Sequence, residues 1–263
     1  QFYLGIIYYE GKLVEHDLDK AIKYFTLSCE KKFVLSLLNL GLIYQNDKQD
    51  YDSAIKYFSI ASDLNDPHAM YYLGIIYYDE QFNHHDINKA IHYFSLASDN
   101  NFSEAQIMLG DIDFNGEYVQ KDIKKAIFYY SLAANQNDAN GNFILGIIYS
   151  NGKYVKKDIN KAIHHYEIAA KQNHIKALNN LGFLFFEGKL IARNMNKAIY
   201  YFSLSAEQGN LKAQYNLGNI YSRGIGIPKN IEKGIHYLTM AAEQNDSDSQ
   251  FDLGVVYLPI DIN

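Results

Sequence analysis

The sequence contains no tryptophan, three prolines and one cysteine, and its longest run of Lys or Arg is two residues. Each scarcity excludes something. Few prolines leave long helices uninterrupted. A lone thiol, Cys29, forms no internal disulfide, so the fold does not require an oxidising compartment and the cytoplasm is the expected location. The net charge of −6, with no basic run, gives no general surface for nucleic acid or anionic lipid. No stretch approaches the roughly 20 apolar residues that a membrane span needs. No leader is visible, and the chain opens inside a repeat at Gln1, so it is expected to be a piece of a longer protein.

What is present is periodic. A Leu-Gly pair recurs with its glycine at Gly5, Gly41, Gly74, Gly110, Gly146, Gly182, Gly218 and Gly254. The spacing is 36 residues throughout, except for one interval of 33. A second signature, Lys-Ala-Ile or a close variant, has its small residue at Ala21, Ala54, Ala90, Ala126, Ala162, Ala198 and Gly234. From each of these to the next Leu-Gly glycine is always 20 residues. The three residues missing from the short interval therefore come from a loop, around Gln45 to Asp50.

Each unit reads as two helices, A then B, with apolar residues three and four apart. Four residues before the small residue of helix B stand Asp17, Asp50, Asp86, Asp122, Asp158, Asn194 and Asn230, all good N-caps. Eleven residues after it stand Lys32, Asn65, Asn101, Asn137, Asn173, Gly209 and Asn245; all but the first tolerate the left-handed conformation that closes a helix. A helical glycine costs up to about 1 kcal/mol relative to Ala. Its repetition implies that another helix approaches closely there. A single hairpin cannot bury its own apolar face, so such units stack.

These residues resemble the Sel1-like repeat family, kin of the tetratricopeptide repeats. Ala213 to Tyr221, then Gly224, Gly226, Asn230 and Lys233, follow its consensus closely, as do Ala177 to Gly182 with Gly188, Asn194, Lys197 and Ala198. The departures are a Tyr or His in the consensus Trp slot and a second loop glycine kept only at Gly226. The resemblance covers the whole chain. It implies an all-α, right-handed superhelix of about eight repeats over residues 1–263, with the first and last incomplete.

Chemistry is scarce. The nine histidines form no His-Glu-x-x-His motif, and the pairs His84-His85 and His164-His165 are adjacent, which points their rings about 100° apart on a helix. Arg223 to Pro228 has the glycines of a phosphate loop but no preceding strand. Asn101 and Asn245 head glycosylation sequons but fill the helix-closing slot. Cys29 reads as a core thiol. No catalytic residues, cofactor or metal are expected, and the chain is expected not to be an enzyme.

By the resemblance, partners dock on the concave face that the A helices present, three before, one after and four after each glycine. The candidates are Tyr71, Tyr78, Ile107, Asp111, Phe114, Phe143, Asn179, Phe183, Phe186, Tyr215 and Asn219; Leu258 falls in the last of these registers. They form an apolar, aromatic ribbon with polar interruptions, suited to a peptide or a partner helix. The first register often packs between neighbouring A helices in such repeats, so its aromatics read as core somewhat more than as groove. The expected function is a protein-binding scaffold or adaptor. Alternatives are the non-catalytic arm of a larger signalling enzyme such as a protein kinase, or a structural subunit of a large assembly.

Overall fold

The computed structural model describes residues 1–30, 33–81 and 83–257. Lys32 and Leu258 lie outside the described residues. Everything described is helix, turn or loop, with no strand among the described residues. The A helices are α1 (Phe2–Glu10), α3 (Val34–Asn46), α5 (Pro67–Tyr78), α7 (Ser103–Asn115), α9 (Ala139–Asn151), α11 (Ile175–Glu187), α13 (Leu211–Arg223) and α15 (Ser247–Tyr257). The B helices are α2 (Leu18–Cys29), α4 (Tyr51–Asp63), α6 (Ile87–Asp99), α8 (Ile123–Asn135), α10 (Ile159–Lys171), α12 (Met195–Glu207) and α14 (Ile231–Ala242). The helices group into two compact units, Gln1–Ala133 and Ala134 onward.

The caps form where the spacing predicts them. Asp17, Asp50, Asp86, Asp122 and Asp158 each accept from a backbone amide of the first turn of the following B helix. Asn194 and Asn230 do the same for α12 and α14. These bonds satisfy amides that a helix start otherwise leaves unpaired. At the other end, Asn65, Asn101, Asn137, Asn173 and Asn245 have φ between 58° and 64°. This backbone role is sufficient reason for Asn101 and Asn245, apart from any sequon. In the short repeat, α3 continues through Gln45 and Asn46, so the loop that lost three residues is confined to 47–50.

The Leu-Gly glycines seat rings. A Cβ added to Gly74 would lie 2.5 Å from the Phe94 ring, and one added to Gly182 would lie 2.6 Å from Phe202. Gly5, Gly41, Gly110 and Gly146 receive Phe25, Phe58, Tyr130 and Tyr166 in the same way, and Gly218 receives Leu238. Each seated residue comes four positions after the small residue of helix B, one turn along the same face. The rings Phe25, Phe58, Phe94 and Phe202 are fully buried. The close approach expected from the glycines is thus made by a side chain of helix B.

Candidate interaction surface

On the A helices, the predicted positions flank these seated rings. In the first unit, Tyr71 lies 5.9 Å from Phe94 and 5.2 Å from Phe102, between ring centroids. Tyr78 lies 6.3 Å from Phe94 and 5.8 Å from Tyr118. Phe114 sits beside Tyr130 at 6.5 Å and carries the Lys121 ammonium 5.1 Å above its ring. Burial pushes the hydroxyl pKa values of Tyr71 and Tyr78 up. Ile107 is half-buried. The first register therefore holds half-buried rings at Tyr71 and Phe143, a buried Leu38 and a solvent-facing Phe251.

Asp111, one of the polar interruptions, has an internal partner. Its carboxylate accepts from the Tyr130 hydroxyl at 2.7 Å. Burial raises the Asp111 pKa, with the tyrosine bond opposing, and raises that of Tyr130. Where the seated ring is tyrosine, an A helix supplies a polar group for its hydroxyl. Tyr166 shows the same arrangement, with Ser150 at 3.3 Å and Asn180 donating at 3.2 Å. Seated phenylalanines require no such group, and Ile75 and Phe183 stand at the position equivalent to Asp111 opposite Phe94 and Phe202.

In the second unit, four candidates converge. Asn179, Phe183 and Tyr215 line a cavity of about 480 Å³ between α11, α13 and the start of α15, with Lys212 and Asp248 at its edge. A neighbouring cavity of about 330 Å³ is lined by Phe143, Lys176 and Asn179. Asn179, Asn180, Leu211 and Lys212 belong to both, so the two form one groove. Phe183 is 44% exposed. The Asn179 Oδ1 is buried and accepts no hydrogen bond, and neither does that of Asn219, whose Nδ2 donates to the Tyr215 carbonyl at 3.3 Å. Unpaired buried amide oxygens are unusual enough to call for a reason. Phe186 is turned to Phe202 at 6.4 Å under Arg193, and does not line the groove.

The helix B slot of Tyr or His was legible in the sequence, but its A-helix partner and the lysine beside it went unread. In six repeats, the residue three after the glycine is a ring that stacks on the Tyr or His of helix B. Tyr8–Tyr24, Tyr44–Tyr57, Tyr77–Tyr93, Tyr149–His165, Phe185–Tyr201 and Tyr221–Tyr237 have centroids 5.5–6.0 Å apart and planes within 12° of parallel. The lysine before the small residue of helix B covers most of them. Lys20, Lys89, Lys161, Lys197 and Lys233 lie 4.8–5.3 Å from the A-helix ring. The signal was available, because both positions recur in register with the two signatures.

Among the described residues, no three His, Cys, Asp or Glu side chains are placed to hold a metal, and no helix is long and apolar enough to cross a membrane. Cys29 is half-buried, and burial pushes its thiol to a pKa of about 11, so it is no reactive thiolate near neutral pH.

Comparison with known proteins supplies the family. No curated protein matches the chain. A protective antigen of uropathogenic Escherichia coli, described as displaying an SLR fold, superposes with a TM-score of 0.84 at 29% identity, over 97% of this chain. The chain spans 56% of that antigen's length. A Sel1 repeat protein from Oxalobacter formigenes gives a TM-score of 0.82 at 26% identity, over 97% of this chain and 75% of that one. Both likenesses assign the all-α, solenoid class of about seven to eight repeats. The Sel1 repeat profile matches seven consecutive segments, 1–33, 34–66, 67–102, 103–138, 139–174, 175–210 and 211–246. Proteins of this kind are in general non-catalytic scaffolds that bind other proteins. Because those seven matches run unbroken from the first residue to 246, each enclosing one A–B hairpin, the chain belongs to the Sel1 repeat family.

Proposed function

We propose that the chain is a non-enzymatic scaffold that binds an extended segment of a partner protein in the groove of the second unit. The observation that carries this reading is the Asn179 Oδ1, buried and unpaired in a groove beside the exposed Phe183 ring. A backbone N–H of an extended peptide is the group that such an oxygen lacks, and an apolar side chain is what Phe183 and Tyr215 accept. Lys176 and Lys212 lie along the groove, while Asp246 and Asp248 lie at its α15 side. A segment with acidic residues at one end and basic residues at the other complements that order.

The test places a photo-crosslinking phenylalanine analogue at Phe183 and, as a control, at Phe128, which is 57% exposed on a B helix. Both proteins are irradiated in extract of the native cells. A discrete adduct from position 183, absent from position 128 and reduced tenfold or more by Asn179→Leu, is expected; that factor corresponds to about 1.4 kcal/mol. The same adducts from both positions, or none from 183, would show that the groove is not the docking face.

A further inference from the structure

The fourth repeat breaks the ring-and-lysine pattern. Three residues after its glycine, where Tyr8, Tyr44, Tyr77, Tyr149, Phe185, Tyr221 and Tyr257 stand in the other repeats, the chain has Asp113. The backbone at the slot is unchanged. The Asp122 amide donates to the Asp113 carbonyl at 2.9 Å, just as Asp86 donates to Tyr77 at 2.8 Å and Asp158 to Tyr149 at 3.0 Å. The ring is missing, and beside Asp113 lies a cavity of about 180 Å³ lined by Ile91, Ile112, Val119, Gln120, Asp113 and Lys125, with the Lys125 ammonium standing between it and the Tyr129 ring. This is room for several waters at roughly 30 Å³ each.

The residue in the slot is a carboxylate with a relative exposure of 4%. Lys125, the counterpart of the ring-covering lysines, is its one ion-pair partner among the described residues, with Nζ 3.2 Å from Oδ1 and 3.1 Å from Oδ2. The Oδ2 is charge-paired with that ammonium but accepts no well-aligned hydrogen bond among the described residues. Lys125 itself is 50% exposed and its ammonium stands 5.7 Å from the Tyr129 ring, the face that an A-helix ring covers elsewhere. A flexible ammonium thus occupies part of a site shaped for a flat group. The charged groups lining the slot are two carboxylates, Asp113 and Asp122, against that one ammonium.

We propose that this slot binds the guanidinium of an arginine in a partner polypeptide. A guanidinium is planar, stacks on an aromatic face and donates two parallel hydrogen bonds to one carboxylate. It would lie on Tyr129, take the place of the missing ring and satisfy Asp113 Oδ2, while Lys125 withdraws to solvent. The pocket lies wholly within the first unit. It is probed with small molecules, so its outcome is separate from that of the groove in the second unit.

The experiment is a methyl-detected NMR titration of the whole chain, following Ile91, Ile112 and Val119, at constant ionic strength. The probes are methylguanidinium, methylammonium and the neutral N-methylurea. Methylguanidinium is expected to give saturable shifts at all three residues, at least fivefold tighter than methylammonium, with none from N-methylurea. Asp113→Asn is expected to weaken binding tenfold or more. Asp113→Tyr, which restores the ring of the other repeats, is expected to abolish it with the fold intact. A blocked Gly-Arg-Gly peptide is expected to bind at least as tightly as free arginine. Shifts that never saturate, or that persist in Asp113→Tyr, overturn the site. Equal binding of methylammonium overturns the guanidinium assignment, and free arginine binding tenfold tighter than the blocked peptide overturns the polypeptide source.

Discussion

The two units carry the same hairpin code, yet their A helices present different surfaces. In the first, Tyr71 and Tyr78 pack against Phe94, Phe102 and Tyr118, so the rings cover one another. In the second, Asn179 replaces an aromatic in the Tyr71 register, and a groove lies open between Phe143, Phe183 and Tyr215. The hairpin interior tolerates this because it is held elsewhere, by glycine, small residue and seated ring. The positions that hold the hairpin together therefore differ from those that line the groove. An aromatic residue on an A helix is not by itself a mark of a binding surface.

The comparison requires interiors of equal weight, and that is where the largest effect is expected. Phe94→Ala in the first unit and Phe202→Ala in the second each empty a fully buried ring site over a glycine. Each is expected to cost about 3–5 kcal/mol, read from urea unfolding together with hydrogen exchange of the affected hairpin. A clear gap between the two losses would mean that the interiors are not equivalent. A smaller effect concerns the polar support of a seated tyrosine. Asp111→Leu removes the acceptor of the buried Tyr130 hydroxyl and is expected to cost about 1–3 kcal/mol. Adding Tyr130→Phe converts this hairpin to the apolar form of its neighbour, with Ile75 opposite Phe94, and is expected to restore most of the loss. If the double variant stays as unstable as the single one, Asp111 acts through something other than that hydroxyl.

Most of the architecture was legible because it is local and repeated. A cap and a helix-closing asparagine act within a few residues, so Asp158 and Asn173 announce themselves in one repeat and are checked in the next. The candidate surface was legible only in part. Register says which face of a helix a residue occupies, but not whether a neighbouring loop folds over it, as Tyr118 does beside Tyr78. It also does not say whether a polar residue is spent internally. Asp111 and Asn179 read alike in sequence, yet one is bound to Tyr130 and the other keeps a free oxygen. Asp113 was visible as a break in the Tyr register, but its meaning depends on the stack that only the three-dimensional arrangement displays.

The smallest expected effect separates the units by pH. In the second unit, burial lowers the pKa values of His165 and His174 below their ordinary 6.5. The His174 Nδ1 accepts from the Ala177 amide at 3.2 Å and so must be unprotonated, while its ring stacks on Phe143, which lines the groove, at 4.4 Å. The His165 Nδ1 faces the Asn142 Oδ1 at 3.0 Å and stacks on Tyr149. Because both folded values are depressed, the unfolded chain takes up these protons first as acid is added. Their stabilisation is complete above about pH 6.5 and is lost as the pH falls from there through the folded values. His174→Asn keeps a cap, as Asn210 does one repeat later, and His165→Tyr supplies the residue that other repeats use in that slot. The double variant is expected to lose less stability than the wild type between about pH 7.5 and about pH 5.5, measured as the shift of the urea midpoint. An equal loss in both proteins would mean that the acid sensitivity of the second unit lies in its carboxylates, and that His174 holds Phe143 by packing alone.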